Sequence, residues 1–225
     1  SPYEFYGLQA DGVYATQAEA DKANLVNSSM QAYQAGDVRF IDQNNDGRID
    51  IKDRISLGSA APDYFGGFYT NFRYRHFALS AEFAYSKGNK AYNAVRRTLE
   101  SASSFSNQSV AVSNRWSVEG QVTDMPRATF GDAIGNNNFS SRWIEDASYL
   151  RIKNITLSYN FDKPIWNFFR SGTIYVTGEN LLTATKYLGL DPEFAYSSSD
   201  NATQGFDYAK VMQPKSVKLG INLKF

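Results

Sequence analysis

The chain has 225 residues, with 23 basic and 23 acidic side chains and a formal net charge of zero, so nothing in its charge favours nucleic acid as a partner. It has no cysteine and a single histidine, His76, which excludes disulfides, thiolate chemistry and His-rich metal sites and disfavours a Ser-His-Asp triad. Aromatic residues make up 15% of the chain, as in proteins with interfacial aromatic belts, and no apolar run reaches the 18 residues of a transmembrane helix.

The first 63 residues read as a loop region with one short helix. Thr16 and Glu19 have the spacing of a capping box ahead of an Ala-rich stretch, which predicts a helix from Gln17. We interpret it as a helix that packs a large loop, with partner binding as the alternative. Because the chain starts at Ser1-Pro2 without Met or a signal peptide, we expect it to be part of a longer mature polypeptide.

The segment 42–53 has the spacing of an EF-hand calcium loop. Oxygen-bearing side chains stand at its first, third, fifth, ninth and twelfth positions, and Gly47 stands at the sixth, where the loop must turn sharply. A structural Ca²⁺ ion in an external loop is therefore predicted, and a metal-free Asn/Asp/Gly-rich turn is the alternative. The predicted ligands are Asp42, Asn44, Asp46, the carbonyl of Arg48, Asp50 and Asp53, the last replacing the usual glutamate.

Five segments alternate apolar and polar residues with the period of a β-strand. The last is the most regular, with Val217, Leu219, Ile221, Leu223 and Phe225 on one face and Lys218, Gly220, Asn222 and Lys224 on the other. In the third segment the apolar set shifts phase, which predicts a bulge near Lys153-Asn154. The five segments are Phe68–Tyr74, Phe77–Tyr85, Leu150–Phe161, Thr173–Glu179 and Val217–Phe225.

The connections alternate between short turns and long loops, as in outer-membrane barrels. Short turns are predicted at 75–76 and 162–171, whereas 86–148 and 180–215 are long loops and 1–63 leads in. We therefore divide the chain into an extracellular region, 1–63, and a strand region, 64–225. The predicted short-turn ends collect the aromatic residues Tyr74, Phe77, Tyr159, Phe161 and Phe225, as an interfacial girdle would.

Inside the long loops the signals are weaker. Residues 90–101 contain good helix formers and predict a second helix. The carboxylate pairs Asp162/Glu179 and Asp191/Glu193 are interpreted as solvated charges rather than an acid–base dyad. Packing or interfacial anchoring is expected for Trp116, Trp143 and Trp166, with stacking on sugar rings as the alternative. No phosphate-binding loop or nucleophile-elbow motif is present, so no catalytic residues are predicted.

These patterns predict an all-β fold: about five strands of an antiparallel transmembrane β-barrel with long extracellular loops. A soluble antiparallel sandwich is the alternative, because alternation and hairpins occur there too. Five strands cannot close a barrel, and an open edge in lipid would leave backbone groups unpaired. We therefore expect most of the barrel to lie upstream of Ser1.

A set of short motifs runs through nearly the whole chain. The clearest are Phe5-Tyr6-Gly7 with Asp11–Tyr14, Gly36–Phe40 leading into the acidic loop, Asn114-Arg115-Trp116, Met125–Ala128, Ser140–Asp146, Ser148–Leu157, Gly178–Leu182, Thr185-Lys186-Tyr187 and Gly189–Glu193. Taken in order, these segments resemble the SusC/RagA family of TonB-dependent outer-membrane transporters of the Bacteroidetes.

The resemblance implies that the chain is the C-terminal part of a plugged barrel, with the plug domain and the TonB-contacting segment absent. It also implies a SusD-like lipoprotein lid, contact with outer-membrane lipid, and TonB-dependent uptake of glycan or peptide fragments. The terminal residues Lys218, Gly220, Leu223 and Phe225 resemble the signal read by the barrel-assembly machinery. A soluble calcium-binding β-module that binds carbohydrate and a surface adhesin stay open as alternatives.

Overall fold

The computed structural model describes residues 3–161, 170–193 and 204–224. Predictions that concern Asp162, Trp166 or Phe225 lie outside these ranges. Within them, the chain divides into two compact units. The sheet unit comprises residues 62–89, 147–161, 170–193 and 211–224, and the loop unit comprises 3–61, 90–146 and 204–210.

The elements follow one another in chain order as strands with short helical turns between them. The strands are β1 Glu4–Leu8, β2 Ala10–Val13, β3 Val26–Asn27, β4 Val38–Phe40, β5 Arg48–Ile49, β6 Arg54–Ser59, β7 Tyr64–Tyr74, β8 Phe77–Lys87, β9 Lys90–Asn93, β10 Ile144–Asp146, β11 Tyr149–Phe161, β12 Ser171–Thr185, β13 Phe206–Asp207 and β14 Ser216–Lys224. The α-helices are α1 Gln17–Ala23 and α2 Ala94–Glu100, and 3₁₀ turns cover Ile51–Asp53, Val110–Asn114, Phe130–Asp132 and Ser141–Trp143.

The sheet unit is built on one five-stranded antiparallel sheet in the order β14-β12-β11-β8-β7. These are the five predicted strands, most of them longer than the alternation indicated, so the antiparallel prediction is confirmed. Arg75 adopts a positive φ of 53° in the two-residue turn between β7 and β8. The register of β11 shifts between Ile152 and Asn154 against both neighbours, which confirms the predicted bulge.

The loop unit is assembled from three stretches that are far apart in sequence. One core cluster joins Leu8, Tyr14, Val38 and Phe40 of the first stretch to Ile134 of the second. A second cluster packs Phe5, Ala60, Tyr92, Ala94 and Trp143 together, with Phe206 of the third stretch against them. The long segments therefore share two cores, which the sequence patterns did not indicate.

The first predicted helix is confirmed as α1. The Thr16 hydroxyl accepts a hydrogen bond from the Glu19 N–H at 3.2 Å, and the Glu19 carboxylate accepts one from the Ala15 N–H at 2.9 Å. The left-handed Asn24 ends the helix, with its N–H donated to the Ala20 carbonyl. Each of these bonds satisfies a backbone or side-chain group left open at a helix end.

The second predicted helix, 90–101, is partly wrong. Its first four residues form β9, which pairs with β10 and β13, and only Ala94–Glu100 is helical. Sheet pairing overrides the local helix propensity of these residues. Asn93 then starts the helix, because its side chain accepts a hydrogen bond from the Arg96 N–H at 2.9 Å. No helix in the described part of the chain is both long and apolar enough to cross a membrane.

Candidate functional site

The five-stranded sheet has one apolar face. The strand register aligns one large apolar side chain from every strand into a single row. These side chains are between 39% and 76% exposed, so none of the described residues covers the row. A continuous exposed apolar surface of this kind is suited to lipid or to another apolar surface. The row consists of Phe72, Leu79, Leu157, Val176 and Leu219.

Aromatic side chains gather at the end of the sheet beside the β7–β8 turn. Tyr74 pairs with Phe77, which pairs in turn with Tyr159, and the rings of Phe77 and Tyr159 lie 5.0 Å apart. The guanidinium of Arg75 lies 5.4 Å from the centre of the Tyr74 ring. The clustering matches the girdle predicted from the sequence, although Phe225 lies outside the described residues.

The opposite face of the sheet is polar. The next row across the strands consists of Asn71, Ser80, Thr156, Thr177 and Lys218. The hydroxyls of Thr156 and Thr177 are 2.8 Å apart, and the Lys218 ammonium lies 2.5 Å from a carboxylate oxygen of Glu179. The sheet therefore separates an apolar side from a hydrogen-bonded, charged side, which is what a barrel wall between lipid and an aqueous or plugged lumen requires.

Three residues of the predicted assembly signal lie on β14. Lys218 and Gly220 belong to the polar face, and Leu223 lies on the apolar face opposite Gly172. Gly220 has a packing role, because the ring of Tyr175 on β12 occupies the space where a side chain would stand. The fourth residue, Phe225, is outside the described part of the chain.

The acidic loop folds as a series of tight turns. Asp42 accepts a hydrogen bond from the Gly47 N–H at 2.8 Å, Asn44 from the Asp46 N–H at 3.0 Å, and Asp46 from the Arg48 N–H at 3.0 Å. Gly47 has a positive φ of 80°, as its place in the loop requires. The hydrogen bond from the Asn44 amide is the main reason that the pKa of the Asp46 carboxyl is below its ordinary value.

The two remaining acidic residues, Asp50 and Asp53, close the loop. Asp53 is fully buried, and its oxygens accept hydrogen bonds from the N–H groups of Gln43 at 2.9 Å and Asp50 at 2.8 Å. Asp50 accepts one from the Lys52 N–H at 2.8 Å. Within the described ranges, no three acidic, histidine or cysteine side chains converge as a metal-binding group. One buried oxygen, Oδ1 of Asp42, nevertheless has no hydrogen-bond partner.

A buried ion pair ties two of the long segments together inside the loop unit. Arg127 donates two hydrogen bonds to Asp37, at 2.8 and 3.1 Å, and Asn136 donates a third at 3.0 Å. Asp37 is fully buried. Such a carboxylate is stable only when its partners remain in place. Sequence reasoning missed this pair, because its members are 90 residues apart and neither stands in a chemical motif.

A second buried network surrounds Trp143. Arg142 lies over the indole ring at 4.5 Å, and Arg96 pairs with Glu100 at 2.9 Å and with Glu145 at 3.1 Å. Burial, followed by the nearby charge of Arg96, lowers the pKa of Arg142 to about 10. Because Trp143 is fully buried, it packs the core and offers no surface to a sugar.

Trp116 also fits the packing interpretation. Its indole N–H donates a hydrogen bond to the Ala15 carbonyl at 3.0 Å, which fixes the ring against the first stretch of the loop unit. One face of the indole closely approaches Gly36, where a Cβ would meet the ring at 2.4 Å. The remaining tryptophan, Trp166, lies outside the described residues.

A third charged cluster stands on β11 in the sheet unit. Arg151, which is 3% exposed, pairs with Asp191 and, at 2.9 Å, with Glu193. Lys153 adds a second contact to Glu193 at 2.6 Å. The interpretation of Asp191 and Glu193 as solvated loop charges is therefore wrong, since both hold the 186–193 segment to the strand. Glu179, of the other pair, is bonded to Lys218.

Comparison with characterised proteins gives the family. The TonB-dependent receptor P26 of Formosa agariphila is 30% identical over 226 residues, covering 98% of this chain and 22% of that receptor. The TonB-dependent receptor P3 of the same organism is 32% identical over 227 residues, with the same coverage. The TonB-dependent receptor SusC of Bacteroides thetaiotaomicron is 27% identical over 225 residues, covering 93% of this chain and 20% of the receptor. No family model matches the chain.

Solved structures agree on the fold. The RagAB peptide transporter matches 99% of this chain and 23% of its own chain, with a TM-score of 0.75 and 24% identity. The RagAB peptide importer in its open-open state matches with a TM-score of 0.71 and 24% identity, covering 98% of this chain and 22% of that chain. The predicted fold, an antiparallel sheet that forms part of a β-barrel, is thus confirmed. The chain spans about a fifth of the length of the curated relatives it matches.

Proposed function

Because this chain belongs to the SusC/RagA family of TonB-dependent receptors, we propose that it forms part of an outer-membrane barrel that takes up nutrient fragments with energy from TonB. The observation that carries the proposal is the two-faced sheet. Its register places an exposed row of apolar side chains on one face and a row of polar side chains on the other. Lipid would cover the row that contains Leu79 and Leu157, and the lumen or a plug would face the row that contains Thr156 and Lys218.

The rest of the barrel would be formed by the remainder of the receptor. Within the described residues, β7 and β14 each pair on one side only. Unpaired backbone groups at a strand edge are costly in hydrocarbon, so further strands would have to cover both edges. The plug domain and the TonB-contacting segment belong to the same remainder, in agreement with the much greater length of the relatives.

For cargo we propose short glycans or peptides. The sequence patterns do not distinguish these two, and the RagAB structures describe a peptide transporter and importer. A catalytic role is not part of the proposal, because the relatives are named as receptors and transporters. The nutrient would be held among the long loops, which are of a length and order usually associated with function.

For partner we propose a SusD-like lipoprotein lid that closes on the loops. Residues between Ser86 and Ser148, and between Thr183 and Gln213, are expected to contact the lid or the ligand, whereas the central strand residues of the five-stranded sheet are not. Highly exposed apolar side chains on the loop unit, among them Phe105 at 93% and Val122 at 90%, support this assignment. Loops of this size can bury more than roughly 1,000 Å², which is enough for a stable interface.

Uptake by the full-length receptor tests the function. A strain lacking the native receptor gene would be complemented with the intact gene or with Leu79→Arg, and accumulation of labelled oligopeptides and oligosaccharides would be measured with and without TonB. We expect TonB-dependent uptake of one class, and loss of the receptor from the outer membrane with Leu79→Arg. Uptake that persists without TonB would refute the mechanism.

Purification from native outer membranes tests the partner and the alternatives. A lid would copurify with the receptor, and deletion of the neighbouring lipoprotein gene would abolish uptake. A protein that stays soluble without detergent would instead support the calcium-binding β-module that binds carbohydrate. Adhesion of cells to a glycan surface, without any uptake, would support the adhesin.

We further propose that the acidic loop binds a structural calcium ion through Asp42, Asn44, Asp46, Arg48, Asp50 and Asp53. The partnerless buried Oδ1 of Asp42 and the turns around Gly47 favour it, while the lack of a converged acidic group among the described residues means that the oxygens would move on binding. Expected Ca–O distances are roughly 2.3–2.6 Å.

The calcium proposal can be tested without any transport assay. Elemental analysis of the full-length receptor should find calcium, and chelation should increase proteolysis within 42–53. The double substitution Asp42→Ala/Asp46→Ala should abolish both effects, whereas Asp11→Asn, an exposed carboxylate outside the loop, should change neither. A calcium-containing crystal with an ordered loop and these oxygens pointing apart would contradict the proposal.

A further inference from the structure

Two adjoining cavities in the loop unit share the lining residues Arg54 and Phe139. One holds about 430 Å³ and opens beside β1, and the other holds about 420 Å³ and opens beside the acidic loop. Arg54 is the first residue of β6 and pairs with Leu8 on β1. The first cavity contains no residue of the two-faced sheet or of the acidic loop, whereas the second borders the acidic loop at Arg48 and Asp50.

The first cavity is lined mainly by rings. Five of its eight lining residues are aromatic: Tyr3, Phe5, Tyr6, Phe139 and Phe206. Tyr6 is 58% exposed, and Phe139 and Phe206 are half-buried, so ring surface is accessible from solvent. The other lining residues are Glu4, Arg54 and Gln204, which place polar groups next to the aromatic faces. A few placed polar groups around aromatic surface are typical of small-ligand sites.

Arg54 supplies the positive charge that the two cavities share. Among the described residues, its exposed guanidinium takes part in neither an ion pair nor a side-chain hydrogen bond. By contrast, Arg48 in the second cavity donates to the Ser28 carbonyl and lies 3.7 Å from Asp50. A guanidinium without a protein partner is available to bind a carboxylate, and its planar fork allows two parallel hydrogen bonds.

The combination favours a sugar over a hydrocarbon side chain. A purely apolar group would offer no hydrogen bond to the Arg54 guanidinium or the Gln204 amide beside it. A sugar ring presents apolar C–H faces to aromatic rings and hydroxyls to the polar groups around them. An acidic sugar adds the carboxylate that Arg54 can hold.

We propose that the two cavities form a binding site for a carboxylate-bearing residue of an oligosaccharide, with its carboxylate on Arg54 and its ring against Tyr6 and Phe139. The choice of ligand rests on the proposed nutrient-uptake function, since such a receptor presents its loops to incoming fragments. Binding is nevertheless measured directly, in the absence of transport.

Calorimetry on the full-length receptor in detergent tests the site, with tetragalacturonate as the probe and its methyl-esterified form as the uncharged counterpart. We expect the acid to bind at least about ten-fold more tightly than the ester, since a charge-assisted bond is lost. Arg54→Ala should weaken the acid about ten-fold or more without changing the affinity for the ester. Tyr6→Ala should weaken both ligands.

Two exposed residues of the same unit serve as controls. Lys22→Ala removes a positive charge from α1, and Met30→Ala removes an exposed apolar side chain, and neither should alter affinity. Equal affinity for acid and ester, unchanged binding by Arg54→Ala, or binding of tetraglutamate but of neither sugar would overturn the inference, as would no binding at all. TonB-dependent uptake of another cargo in that case would leave the proposed function standing.

Discussion

The ring of Tyr175 on β12 lies over Gly220 on β14, so close that a Cβ on residue 220 would stand 2.2 Å from the ring carbon Cζ. Gly220→Val should therefore displace the ring and lower the free energy of unfolding by about 1–3 kcal/mol, the usual cost of overpacking. Urea unfolding of the receptor in lipid vesicles measures it. In a Tyr175→Ser background the same substitution should cost much less. An equal loss in both backgrounds would show that the ring is not the cause.

Leu79 tests the lipid-facing assignment. Leu79→Arg should cost about 2–4 kcal/mol if the residue lies near the bilayer midplane, and Ile221→Arg should behave similarly. Ser80→Arg, on the polar face of the same strand, is the matched control and should cost far less, as should Lys218→Glu. The comparison is made by unfolding in vesicles. Equal tolerance at Leu79 and Ser80 would rule out the two-faced sheet.

Arg127→Ala tests the buried ion pair of the loop unit. Asp37 would keep its hydrogen bonds from Gln34 and Asn136 but lose its only charged partner in the described structure, at a cost of about 3 kcal/mol. Hydrogen exchange within 3–61 should rise accordingly. Arg39→Ala breaks the exposed pair with Asp11 and should cost less than about 1 kcal/mol. Similar exchange in the two variants would argue against a structural role for Asp37.

The contact between Arg151 and Asp191 should make the 186–193 segment sensitive to acid. Burial raises the pKa of the Asp191 carboxyl, but the hydrogen bonds from Arg151 and from the Gln213 and Glu193 N–H groups outweigh it and hold the pKa below its ordinary value. The stability that the Asp191 carboxylate contributes is fully present above its unfolded-state pKa of about 3.9. It is lost as the pH falls through the pKa of Asp191 in the folded state.

Hydrogen exchange of 186–193, measured from pH 6 down to pH 3, should therefore stay protected until the pH falls below about 4. Arg151→Gln should abolish the protection over the whole range, because Asp191 would lose its main partner. Lys153→Gln, which leaves Asp191 untouched, is the control and should keep the acid midpoint. A midpoint near neutral pH would exclude Asp191 as the group responsible.

The strands were predictable because their signal is local. Alternation assigns Leu79 and Ser80 to opposite faces from sequence alone, and the phase change in the third segment located the bulge to within two residues. The signal for the helix that begins at Gln17 was equally local, because its capping box spans only the four residues from Thr16 to Glu19. The start of the second helix was missed because β9 exists only through pairing with β10 and β13, whose positions in space the sequence does not reveal.

The charged contacts were not predictable for a related reason. Asp37 and Arg127 are 90 residues apart, and Arg151 and Asp191 are 40 apart, so no spacing rule connects them. Both pairs lie within segments that resemble the family, but resemblance names a segment without saying what it contacts. For the acidic loop, the pattern correctly located the turn at Gly47, while the calcium site stays a prediction, since its ligands would converge only on binding the ion.

The shared cores of the loop unit have a consequence for how such a receptor can change its ligand. Phe5, Trp143 and Phe206 come from three separate stretches of chain yet pack in one cluster. Transplanting one stretch alone into a relative would leave the other two without their packing partners. With a ligand at the proposed site, new specificity would be accessible through surface substitutions at Tyr6 or Arg54, or through exchange of all three stretches together.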